Sequence, residues 1–110
     1  MLKIAMSAAA SGLLRALLAR AAVPRDRILL TDVRSTDWQS LTFVGERHEF
    51  RLRVPGPDSA ATSERLCDGL ADAEFSIPGQ IVADIAIVSE PVLSEDGSTS
   101  VTIEALTISE

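Results

Sequence analysis

Apolar residues recur at helical spacing early in the chain. Leu13, Leu14, Leu17, Leu18 and Ala21 fall on one side of a predicted helix from about Ala8 to Ala22. Ser7 or Ser11 can cap its start, and Pro24 marks its end. The apolar run Ile28-Leu29-Leu30 predicts a short strand ahead of a polar stretch, Asp32 to Asp37. The pattern then turns alternating. Trp38 to Val44 and Arg47 to Val54 predict a hairpin joined by Gly45-Glu46, with Gly in the first central position of a tight turn. That turn sets Phe43 opposite His48, Leu41 opposite Phe50 and Gln39 opposite Leu52 on a buried face. The other face then pairs Val44 with Arg47, Thr42 with Glu49, Ser40 with Arg51 and Trp38 with Arg53.

Pro55-Gly56-Pro57 ends the second strand, and Asp58 or Ser59 caps a second helix reaching about Ala73. Ser63, Leu66, Cys67 and Leu70 share its inner face, while Gly69 weakens it. A second hairpin closes the chain: Gln80 to Glu90 and Thr99 to Ser109 flank a turn containing Asp96-Gly97, and Pro91 marks a bend or an edge. A tight turn there places Ile85 opposite Ile108, Ile87 opposite Leu106, Val88 opposite Ala105 and Val92 opposite Val101. Both faces of this hairpin are substantially apolar, so each needs cover. The expected fold is α+β: a mostly antiparallel sheet of two hairpins with a short extra strand, packed with two helices in the order α-β-β-β-α-β-β. Leu41, Phe43, Phe50, Leu52, Ile85, Ile87, Leu106 and Ile108 are expected to face a helix. A single domain over residues 1–110 accommodates this. Residues 1–6 are expected to be a disordered leader, and Met6 offers a second start that would make residues 1–5 a leader.

Charge divides along the chain. Residues 1–57 carry nine basic and five acidic residues, a net +4, and residues 58–110 carry one basic and eleven acidic residues, a net −10. Such a division predicts a subunit with two differently charged surfaces. A total of −6 repels a phosphate backbone, and 4% aromatics leaves little to stack on bases, so tight nucleic-acid binding is not expected. The single cysteine, Cys67, permits no intrachain disulfide and fits a reducing compartment. No apolar run has membrane-spanning length. The alanines after Lys3 are diluted by Ser7, Ser11 and Gly12 and then interrupted by Arg15 and Arg20, unlike a secretory signal.

Catalytic chemistry finds few candidates. His48 is the only histidine and falls on a core-facing position, and Cys67 lies on the apolar face of the second helix. No third group orients a Cys67–His48 dyad. Glycine-rich phosphate loops, nucleophile elbows and zinc-binding His pairs are missing from the sequence, and Glu95-Asp96-Gly97-Ser98 is explained by a hairpin turn rather than a cation loop. No enzyme, metal site or cofactor is therefore expected. Binding surfaces are the better candidates. Trp38 beside Arg51 and Arg53 has the composition of a protein interface, with a cation–π contact between Trp38 and Arg53. Val82, Val88, Val92, Val101 and Ile103 are the apolar positions of the second hairpin that a neighbour would cover.

Taken in order, these segments resemble the small tail-completion or tail-terminator proteins of long-tailed bacteriophages and gene transfer agents. The resemblance is carried by Leu13-Leu14-Arg15-Ala16-Leu17-Leu18, Ser35-Thr36-Asp37-Trp38, Glu46 through Val54, the capped helix Ser59 to Leu70, Gly79-Gln80-Ile81-Val82, and Asp96-Gly97 through Thr107. It covers about Ser7 to Ile108. Many members end the second strand in Trp-Ser, where this chain has Val54-Pro55. The resemblance implies a subunit that assembles with itself into a ring, commonly of six. Its partners would be the tail tube protein and a neck or head-completion protein, met in the cytoplasm during assembly of a phage-like particle. A different class of function suits the same composition: a small cytoplasmic α+β dimer that binds a small ligand or a regulatory partner. A large concave apolar pocket would favour that reading.

Overall fold

The computed structural model describes residues 6–22 and 27–110. Pro24 and the suggested leader up to residue 5 lie outside the described residues. The elements are α1 (Ala8–Ala21), β1 (Leu29–Gln39), β2 (Val44–Val54), α2 (Ser59–Cys67), a 3-10 turn (Leu70–Asp72), β3 (Gln80–Ile87), β4 (Val92–Leu93) and β5 (Thr99–Ser109). All strands pair antiparallel, in the order β1-β2-β5-β3, with β4 also on β5. This is the expected α+β class: two helices on an antiparallel sheet of five strands.

Ser7 caps α1 by accepting a hydrogen bond from the Ala10 N–H at 3.2 Å. Leu13, Leu17 and Ala21 of this helix are fully buried against Phe50, Leu52, Ile85, Val101 and Ile103 of the sheet. Leu66 of α2 and Leu70 of the 3-10 turn complete the same core. The second helix is shorter than expected because Gly69 takes φ +64°, which ends the α-helical hydrogen bonding and turns the chain into the 3-10 segment. The helices are cross-bonded at their C-terminal ends. Arg65 Nε donates to the Ala21 carbonyl at 3.1 Å, and the Arg20 guanidinium donates to the Asp68 carbonyl. Each cation thus satisfies an orphan carbonyl of the other helix.

The first hairpin is corrected by the structure. Its turn is Ser40 to Phe43, and Gly45-Glu46 lies inside β2. Ser40 Oγ accepts from the Phe43 N–H at 3.0 Å, which holds the turn. Gly45 is required for a different reason: a Cβ there would stand 2.0 Å from the Thr107 carbonyl oxygen of β5. The polar stretch expected between two strands is instead part of one eleven-residue strand, β1. Ser35 then lies opposite His48, Val33 opposite Phe50 and Leu29 opposite Arg53. Leu41 and Phe43, expected in the core, sit exposed at the turn.

The second hairpin turns at Ser94 to Ser98 as expected, but its register differs. Ile85 faces Ala105 and Ile87 faces Ile103. The chain leaves β3 after Ile87, bulges past Pro91 and returns as β4, with Val92 opposite Ser100. The shift moves Leu106 and Ile108 to the face away from the helices and brings Val101, Ile103, Ala105 and Thr107 beneath them. Phe50, Leu52, Ile85 and Ile87 keep the inward orientation read from the sequence.

Candidate functional site

Both helices cover one face of the sheet, and among the described residues nothing covers the other. On this open face the four long strands align their residues in rows. Trp38, Gly45, Ile108 and Ile81 form one row. Thr36, Arg47, Leu106 and Asp84 form the next, followed by Arg34, Glu49, Glu104 and Ala86. An apolar row therefore borders a charged band. The band has a net polarity of its own: β1 and β2 contribute Arg34, Arg47, Arg51 and Arg53 with Asp32 and Glu49, whereas β3 and β5 contribute only Asp84 and Glu104 to it. The charge division along the sequence has become a division across one face.

Trp38 is half-buried on this face. It stands opposite Gly45 and beside an open depression of about 390 Å³, which Arg34, Thr36, Arg47, Glu49 and Glu104 also line. The expected Trp38–Arg53 contact is not formed, because the two residues stand at opposite ends of the first hairpin. Arg53 instead pairs with Asp96 of the β4–β5 turn, and Arg51 lies 3.5 Å from Glu49. The Asp96 carboxyl is held below the usual carboxylate range, first by hydrogen bonds from the Ser98 hydroxyl and N–H and then by Arg53.

Of the apolar interface candidates, Val88 and Val92 are exposed on the rim of the open face. Val82 is half-buried and packs on the core. Val101 and Ile103 are 2% and 0% exposed, so they are core residues and offer nothing to a neighbour. The sequence reading missed Leu29, Ile81, Val44 and Leu93, all exposed. Ile81 was legible in principle as an apolar residue, but only the true register separates it from the core; Val44 was placed off the buried face, opposite Arg47, and is exposed.

His48 is buried, as its strand position suggested, yet its surroundings could not be read from the sequence. Nδ1 lies 2.7 Å from Ser35 Oγ and Nε2 lies 2.8 Å from Thr107 Oγ1, so three strands meet at one imidazole. The ring stacks on Phe50 with centroids 5.9 Å apart. Burial pushes its pKa below the ordinary histidine value, and Glu46 only partly opposes this. A neutral ring with both nitrogens occupied by hydroxyls is a structural clamp. Cys67 is half-buried on α2, and burial raises its thiol pKa against the opposing pull of Arg20, which keeps it protonated and weakly nucleophilic. His48 and Cys67 are not hydrogen-bonded to each other. Among the described residues no three His, Cys, Asp or Glu side chains cluster to hold a metal, and no helix is long and apolar enough to cross a membrane.

No protein-family model and no curated protein matches the chain. Among solved structures, it is similar to a chain of the "Virion of native gene transfer agent (GTA) particle", with a TM-score of 0.62 and 16% identity. The similarity covers 94% of this chain and 99% of that one, so the two share a fold from end to end.

Proposed function

We propose that this protein is a structural subunit of a phage-like particle that forms a ring on the tail tube, completes or caps it, and joins it to the neck. The observation that carries this reading is the shared fold with a gene transfer agent virion chain over 94% of this protein and 99% of the other. A domain matched over its whole length, with no large insertion on either side, has little added to it besides surface. The surface supports the same reading. The open face offers an apolar row, an aromatic residue and a charged band, but no enclosed pocket and no assembled nucleophile. Its four arginines are balanced by Asp32, Glu49, Asp84 and Glu104, which suits a ring through which DNA must pass without being held.

The ligand-binding dimer is the weaker reading. The depression beside Trp38 is open to solvent, where a small-molecule site would enclose most of its ligand. The test is reconstitution. Tube protein encoded beside this gene is polymerised with and without this protein and imaged. Tubes ending in a ring at one end, with shortened and uniform length, are the expected result. Tubes whose ends and lengths are unchanged would exclude a capping role.

A further inference from the structure

The two outer edges of the sheet carry a further inference, which rests on the ring reading. Among the described residues, no strand pairs with the outer side of β1 or of β3, although Ile77 makes a single bridge to Gln80 at the start of β3. Natural proteins guard such edges with Lys and other charged side chains, Pro, β-bulges or very short strands. β1 has eleven residues, β3 has eight, and neither contains Lys or Pro. Six of the eight β3 residues are Ile, Val or Ala, and Ile81 is half exposed, which is an edge built to be covered. Each edge carries one register shift, between Leu30 and Asp32 or between Val82 and Asp84, and runs regularly beyond it.

Strand direction selects the partner. Every pairing is antiparallel in the order β1-β2-β5-β3, so β1 and β5 run one way and β2 and β3 the other. A copy rotated about an axis along the strands brings its β1 beside β3 in antiparallel orientation, and the sheet continues without a break. This is a heterologous contact of the kind that closes into rings. Charge agrees with it. Asp84 is the only charged residue of β3, and it is exposed on the open face. On that face β1 carries one base, Arg34, which is exposed and lies 3.7 Å from Asp32 of its own strand, so the contact would have Asp84 compete with Asp32 for Arg34. A contact of β3 with β3 would oppose Asp84 to itself, and a contact of β1 with β1 would leave the apolar β3 edge bare.

We infer that a second copy of this chain occupies the β3 edge through its β1 strand, with Asp84 of one subunit facing Arg34 of the next, so that the ring wall is one continuous antiparallel sheet.

The test is oxidative cross-linking within rings assembled on the tube protein. Cys67→Ser supplies a thiol-free background, into which Arg34→Cys and Asp84→Cys are placed together, with Thr36→Cys and Asp84→Cys as a second pair displaced by one row. The expected result is a ladder of covalent multimers from one of the two pairs, and none above dimer from any single cysteine. Charge reversal gives an independent reading. Arg34→Glu or Asp84→Arg alone should weaken self-association about fivefold per contact, and the double reversal should restore it. Rings seen in micrographs without a ladder, or efficient dimers from Arg34→Cys alone, would overturn the edge contact while leaving the ring intact. Absence of any ring would overturn the ring reading, and the edge contact with it.

Discussion

Two residues carry constraints that their neighbours do not. Gly45 sits where β2 passes so close to β5 that an added methyl would meet the Thr107 carbonyl at 2.0 Å. The clash is with main chain and cannot be relieved by a rotamer change. Gly45→Ala should therefore cost about 1–3 kcal/mol in denaturant unfolding. His48 is buried and held by Ser35 and Thr107. His48→Ala removes the ring and strands two hydroxyls, at a cost of about 2–4 kcal/mol. The pH dependence follows from the direction of the shift. The folded pKa lies below the unfolded one, so unfolding takes up a proton once the pH drops below about 6.5. The stability held by the neutral ring is complete above that value and declines as the pH falls towards the folded pKa. Urea unfolding at pH 7.5 and 5.5 should show this loss, and His48→Gln, which hydrogen-bonds without titrating, should reduce it. Equal pH dependence in the two proteins would assign the effect elsewhere.

Elements were more legible in the sequence than their registers. Helical periodicity gave α1 nearly to the residue, and alternation gave β2 and β5 with their boundaries at Val54, Thr99 and Ser109. What failed was the turn assignment. Gly45-Glu46 has good hairpin chemistry, but the glycine answers to a close approach of β5, a strand some sixty residues away that local reasoning does not see. The real turn uses Ser40, a weaker local signal. At the second hairpin, Asp96-Gly97 was placed correctly within the turn, but a longer loop shifted every pair by one face. The second shift explains why Val101 and Ile103 read as surface. The observed register makes opposite demands on residues of similar type. Ile103→Ala should cost about 2–5 kcal/mol, and Val92→Ala should stay within about 0.5 kcal/mol. Similar losses at the two positions in thermal or chemical unfolding would contradict it.

At the scale of the whole molecule, one face is closed by helices and the other is left with four arginines and two carboxylates on β1 and β2, two carboxylates on β3 and β5, and an apolar row at one end. The net charge of −6 and the balanced open face predict weak binding of duplex DNA at physiological salt. A titration showing submicromolar, salt-sensitive affinity would contradict a passive ring wall. The central claim is that this protein is a fixed part of a particle, and quantitative mass spectrometry of purified particles addresses it most directly. The account predicts a small, constant copy number per particle equal to the ring number, retained through density-gradient purification. Absence of the chain from finished particles, or a copy number that varies from preparation to preparation, would contradict it.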